Sequence, residues 1–125
     1  MYLHLVLFKP RPDLGPARRD ELVTALEHAL TDIPLIRRAR VGRRIVMGRV
    51  YDAANTIDFP YVAAMEFDTE TDLRAYLDHP AHARIGRLFY ETAEASLAYD
   101  FEVADATTAR QLLSTSIQQP ATDGS

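Results

Sequence analysis

With 125 residues, 47% of them apolar and 26% charged, the chain has ordinary globular composition and enough length for one hydrophobic core but not two. Its formal net charge is -4, and its basic residues are thirteen arginines and the single Lys9, so the basic footprint of a nucleic-acid binder is missing and a small molecule or a protein is the expected partner. The absence of cysteine excludes a disulfide framework, a thiolate metal site and a thiol nucleophile.

Met1 to Phe8 is apolar, but it lacks the basic region of a signal peptide and stops at Lys9-Pro10, so it reads as a strand. No apolar run approaches the roughly 18 residues that span a bilayer, and a soluble, cytoplasmic chain with no membrane partner is expected. In this strand Leu3, Leu5 and Leu7 oppose Tyr2, His4, Val6 and Phe8, a pattern that wants cover on both faces. After the loop Lys9 to Pro16, a stripe of Leu22, Leu26, Ala29, Leu30 and Ile33 predicts a helix from about Pro16 to Thr31, ended by Pro34. Two short β-like pieces around Gly42 and Gly48 follow, and then Tyr51 to Pro60 reads as a hairpin loop.

The next strand, Tyr61 to Phe67, puts Tyr61, Ala63, Met65 and Phe67 on one face. Thr69 with Asp72 makes a capping pattern before a short helix bearing Leu73, Tyr76 and Leu77. Pro80 suits the first position of another helix, whose stripe is His82, Ile85, Phe89 and Thr92 with Leu88 beside it. The last strand, Leu97 to Val103, alternates, with Leu97, Tyr99, Phe101 and Val103 read as facing in and Asp100 and Glu102 as facing out. Residues 106–125 turn polar and are expected to be a mobile tail, the alternative being a docked helix carrying Leu112, Leu113 and Ile117.

The order βαββααβ predicts an α+β, ferredoxin-like domain over residues 1–105, with its helices on one face of a four-stranded antiparallel sheet. The face bearing Leu3, Leu5 and Leu7 is then bare, and a second copy of the chain is its simplest cover.

His4-Leu-Val-Leu-Phe-Lys9, Asp32-Ile-Pro34, Val41-Gly-Arg43, Met65-Glu-Phe67, Ala75-Tyr-Leu-Asp-His-Pro-Ala-His82 and Tyr99-Asp-Phe101 resemble the stress-responsive dimeric α/β-barrel (Dabb) family over roughly residues 3 to 103. The Tyr-x-x-His-Pro-x-His segment is the most specific part. The resemblance implies a homodimer whose two sheets pack face to face as a dimeric α/β barrel. It also implies kinship with a plant polyketide cyclase that makes olivetolic acid and a plant hydroxynitrile lyase, both cofactor-free, within a family that also holds stress-induced proteins with no assigned reaction. The cyclase's first-strand His, motif Tyr and final motif His fall on His4, Tyr76 and His82.

Each of these residues has a plain structural reading beside the functional one. His82 is either a general base for a carbon acid or a buried His that closes a turn. Tyr76 is either a donor to a developing enolate oxygen or an ordinary core Tyr, and His4 either orients substrate or packs. His79 caps the second helix and points away from His82, and no convergent carboxylate is evident, so no metal is expected, while the resemblance implies that no cofactor is needed; His28 lies on an exposed helix face. Arg37, Arg38, Arg40, Arg43, Arg44 and Arg49 read as a solvated edge or as a grip for an anionic substrate.

The leading expectation is a cofactor-independent cyclase, lyase or isomerase acting on a small apolar carbonyl or polyketide-like substrate by proton transfer. His82, Tyr76 and His4 would be catalytic, and Tyr2, Val6, Phe8, Met65, Leu73, Ile85 and Phe89 would form apolar walls. The alternative is a non-catalytic stress-responsive dimer that binds a hydrophobic ligand. A cofactor-free monooxygenase of neighbouring ferredoxin-like families is a third possibility, but its usual residues are not recognisable in this chain.

Overall fold

In the first strand, β1 (Tyr2–Pro10), the alternation resolves into two unequal faces: His4, Val6 and Phe8 are buried, and Leu3, Leu5 and Leu7 are half-buried. The structure, a computed structural model, describes residues 1–114. In chain order β1 is followed by α1 (Pro16–Asp32), β2 (Arg38–Arg43), α2 (Val50–Ala54), β3 (Tyr61–Phe67), α3 (Glu70–Leu77), α4 (Pro80–Thr92) and β4 (Ala93–Glu102). A single 3-10 turn, Ala106–Thr108, leads into α5 (Ala109–Ser114).

The four strands form one antiparallel sheet in the order β2-β3-β1-β4, the ferredoxin-like arrangement predicted above. Helices α1, α3 and α4 lie on the face of His4, Val6 and Phe8, and the core between the layers is built on Phe67, Tyr76, Ile33, Met65 and Leu22. The helix ends follow local rules. Pro34 forces Ile33 into an extended conformation at the α1 C-terminus. The Thr69 hydroxyl accepts from the Asp72 N–H at 3.0 Å, and His79 Nδ1 accepts from the Ala81 N–H at 3.0 Å with Pro80 just inside α4.

Three expectations change. Residues 44–49 do not make a second β-piece: Gly48 sits at φ 73, outside any strand, and Arg44 pairs instead with Asp58 at 2.5 Å and Asp52 at 3.3 Å. The loop after it contains α2. The third correction concerns β4, which begins at Ala93 and turns the opposite way from the reading above. Its register pairs Leu7 with Leu97, Leu5 with Tyr99, Leu3 with Phe101 and His4 with Asp100. Directly opposed residues share a face, so Leu97, Tyr99 and Phe101 join the helix-free side, where they are 40%, 50% and 44% exposed, and Asp100 turns toward the helices.

In the C-terminal segment, residues 106–114 form the 3-10 turn and α5, none of whose residues is buried. Ile117 lies outside the described residues, so the docked-helix alternative is described only as far as Leu112 and Leu113. Among the described residues no helix is long and apolar enough to cross a membrane.

Candidate active site

Three elements converge on one point. β1 supplies His4 from the helix-facing side of a central strand, α3 supplies Tyr76 from its last turn, and α4 supplies His82 from its first. The ring centroids lie 5.6 Å apart for His4 and His82, 4.8 Å for Tyr76 and His82, and 5.8 Å for His4 and Tyr76, each pair edge to face. The Asp78-His79-Pro80 break between the two helices creates this closeness, because it turns the chain within three residues and stacks the end of α3 against the start of α4.

His82 Nδ1 lies 3.1 Å from the Leu77 carbonyl oxygen. A carbonyl only accepts, so in neutral His82 the proton sits on Nδ1 and the lone pair on Nε2, which has no hydrogen-bond partner among the described residues. The His82 pKa is lowered from its ordinary value, first by burial and then by His4 nearby, against the opposing pull of the Leu77 carbonyl, Asp100 and Asp78. At neutral pH His82 is therefore an uncharged base.

Tyr76 is 1% exposed, and burial pushes its pKa up to about 12, so its phenol keeps its proton throughout the physiological range. Its hydroxyl is not hydrogen-bonded to any described residue. His4 Nδ1 is 2.6 Å from Asp100 Oδ1, a bond that fixes the ring orientation and places a proton on Nδ1. Asp100 is the site residue that sequence reasoning missed. Its position between Tyr99 and Phe101 reads as solvent-facing, and only the pairing of His4 with Asp100 across β1 and β4 reveals otherwise.

His4, Tyr76 and His82 line a cavity of about 290 Å³ together with Val6, Met65, Ile85 and Phe89. Phe8 lines a neighbouring apolar pocket of about 450 Å³ beneath α1, and the two spaces share Val6, Leu26, Ala63 and Phe89 as walls. Tyr2 and Leu73 line neither: Leu73 is core, and Tyr2, at the start of β1, is partly buried against it. Sequence reasoning also missed Leu26, Ala63 and Gly86, which carry no chemical signal of their own. His79 spends its Nδ1 on the α4 cap, and among the described residues no group of three or more His, Asp or Glu gathers to hold a metal ion.

Comparison with solved structures places the same fold in a dimeric ferredoxin-like protein of unknown function from Thermobifida fusca, at 20% identity and TM-score 0.63 over 82% of this chain and 90% of that one. A hydroxynitrile lyase from Passiflora edulis matches at 12% identity and TM-score 0.69 over 84% of this chain and 94% of that one. A mutant of SnoaB, a cofactor-independent oxygenase from Streptomyces nogalater, matches at 14% identity and TM-score 0.60, again over 84% and 94%. At these identities the likeness establishes the fold. No curated protein sequence matches the chain. The model of the Stress responsive A/B Barrel Domain matches residues 3–103, from the first β1 leucine to the residue after β4, and the chain belongs to that family.

Proposed function

We propose that the chain is a cofactor-independent enzyme that moves protons on a small, largely apolar carbonyl substrate, as a cyclase, lyase or isomerase. The observation that carries this reading is the His82 Nε2 lone pair, held open by the Leu77 carbonyl beside a permanently protonated Tyr76 in one cavity. Nε2 takes a proton from the carbon next to a carbonyl group. The C–H electron pair moves into the carbonyl to give an enolate, and the Tyr76 hydroxyl donates a hydrogen bond to its oxygen. In a cyclisation the enolate carbon attacks a second carbonyl of the same substrate, and the imidazolium returns its proton to the alkoxide formed. In an isomerisation the proton returns to a different carbon. In a lyase step Nε2 takes a hydroxyl proton as the C–C bond breaks, and the imidazolium protonates the departing carbanion. His4, aligned by Asp100, orients substrate beside Tyr76 and His82.

The working form in this reading is a homodimer joined through the helix-free sheet face bearing Leu3, Leu5 and Leu7, as the dimeric solved neighbour and the exposed apolar residues of that face support. The alternative, a dimer that binds a hydrophobic ligand without converting it, is favoured by the apolar pocket beneath α1, which needs no chemistry to be useful. One experiment separates them. On a panel of β-polycarbonyl thioesters and cyanohydrins, His82→Ala is expected to lower turnover by roughly 10² to 10⁴ with folding intact, and Tyr76→Phe by less, because it removes one hydrogen bond and keeps the ring. Turnover that is indifferent to His82→Ala refutes the catalytic reading.

A further inference from the structure

The apolar pocket beneath α1 has a charged rim of one sign. Val6, Phe8 and Ala63 of the sheet and Leu22 of α1 line it, and its ionisable lining residues are Arg19, Arg43 and Tyr61, with no carboxylate among them. Arg43 belongs to this side of the sheet by register: it pairs with Tyr61, which pairs with Phe8, and Phe8 shares the helix-facing side with His4. The neighbouring arginines are engaged, Arg18 with Glu21 and Glu91 and Arg44 with Asp52 and Asp58. Arg19 and Arg43 have no ion pair among the described residues. An apolar trough that opens onto two unmatched guanidinium groups, in a chain of net charge -4, is complementary to one kind of ligand, an apolar chain ending in an anion.

The pocket adjoins the His4–Tyr76–His82 cavity, with Val6, Leu26, Ala63 and Phe89 lining both. Along β1 the four residues from the His4 level to the Phe8 level, where Arg43 lies across the sheet, span about 13 Å. We propose that the substrate is a carbonyl acid: its carbonyl end lies at His82 and Tyr76, its apolar chain runs under α1, and its terminal carboxylate sits between Arg19 and Arg43. Only the placement of the carbonyl end rests on the catalytic reading above; the acid-binding rim stands on the pocket alone.

Decanoate and decanol, which share one alkyl chain and differ in the charge of its head, are the probes, titrated into the protein by calorimetry and followed by the imidazole NMR signals. Decanoate is expected to bind on the order of tenfold more tightly than decanol at low salt, with the gap narrowing as salt screens the rim. The double variant Arg19→Gln/Arg43→Gln is expected to close the gap while leaving decanol affinity unchanged, and each single variant to close part of it. Both side chains are exposed, so an unchanged melting temperature is expected and checks the fold. Equal affinities, a gap that survives the double variant, or no binding of either probe overturns the proposal. Failure of the two readings is distinguishable. Decanoate bound normally by a protein whose turnover ignores His82→Ala removes the catalyst and keeps the acid site. A lost acid preference beside a His82-dependent turnover does the reverse.

Discussion

At His82 the Leu77 carbonyl, 3.1 Å from Nδ1, keeps the ring proton on that nitrogen, and burial holds the pKa below the ordinary 6.5. Two pH effects follow from that direction. Proton abstraction needs the neutral ring, so kcat/KM is expected to rise through an ionisation below pH 6.5 and to stay level across the neutral range, since Tyr76 keeps its proton until about 12. Stability moves the same way. Below pH 6.5 the unfolded chain binds a proton at His82 more readily than the folded one, so this contribution is fully present above 6.5 and is lost as pH falls toward the folded value. Urea midpoints at pH 7.5 and 5.5 are expected to show that loss, and His82→Gln, which does not titrate, is expected to show less of it. A midpoint difference identical in the two proteins contradicts the assignment.

Among the elements, α3 and α4 do the positioning, because the break at Asp78 to Pro80 sets the end of one helix against the start of the next and so sets Tyr76 against His82. The 3-10 turn and α5 make no comparable contribution: none of their residues is buried, and Leu113 is 84% exposed. Truncation after Asp105 is therefore expected to leave the melting temperature of the domain nearly unchanged, as measured by circular dichroism. A drop of many degrees indicates that the removed segment is docked in the working assembly. β2 and β4 are the two edges of the sheet, and β2 carries Arg38, Arg40 and Arg43, charges that discourage further strand pairing along that edge.

For the whole molecule the unbalanced quantity is the apolar surface on the helix-free face, where Leu3, Leu5 and Leu7 run beside Leu97, Tyr99 and Phe101. Such a face is costly to leave in water and suits a large isologous interface. The chain is expected to sediment at micromolar concentration as a dimer, and Leu5→Glu, which puts a charge at the centre of that face, to shift it to the 14.1 kDa monomer. A wild-type protein found only as monomer at that concentration contradicts the interface.

Much of the fold was legible in sequence because its signals are local. The stripe from Leu22 to Ile33, the caps at Thr69 and His79, and the breaks at Pro34 and Pro80 each act within a few residues, and the βαββααβ order leaves few ways to pack. His4, Tyr76 and His82 were named from a motif together with its family resemblance. Local signals misled where both choices satisfied the local chemistry. An alternating strand such as Leu97 to Val103 does not say which of its faces meets the helices, and an Asp between two aromatic residues looks solvent-facing in isolation. The antiparallel register of β1 with β4 decided that question. It brought Asp100 onto His4 and left Leu97, Tyr99 and Phe101 on the open side, because pairing across 96 residues is set by the packing of the whole sheet and not by the residues next in sequence. The adjacency of the α1 pocket and the His82 cavity is tertiary in the same sense, since their shared walls come from β1, α1, β3 and α4 and meet only when the helices close on the sheet.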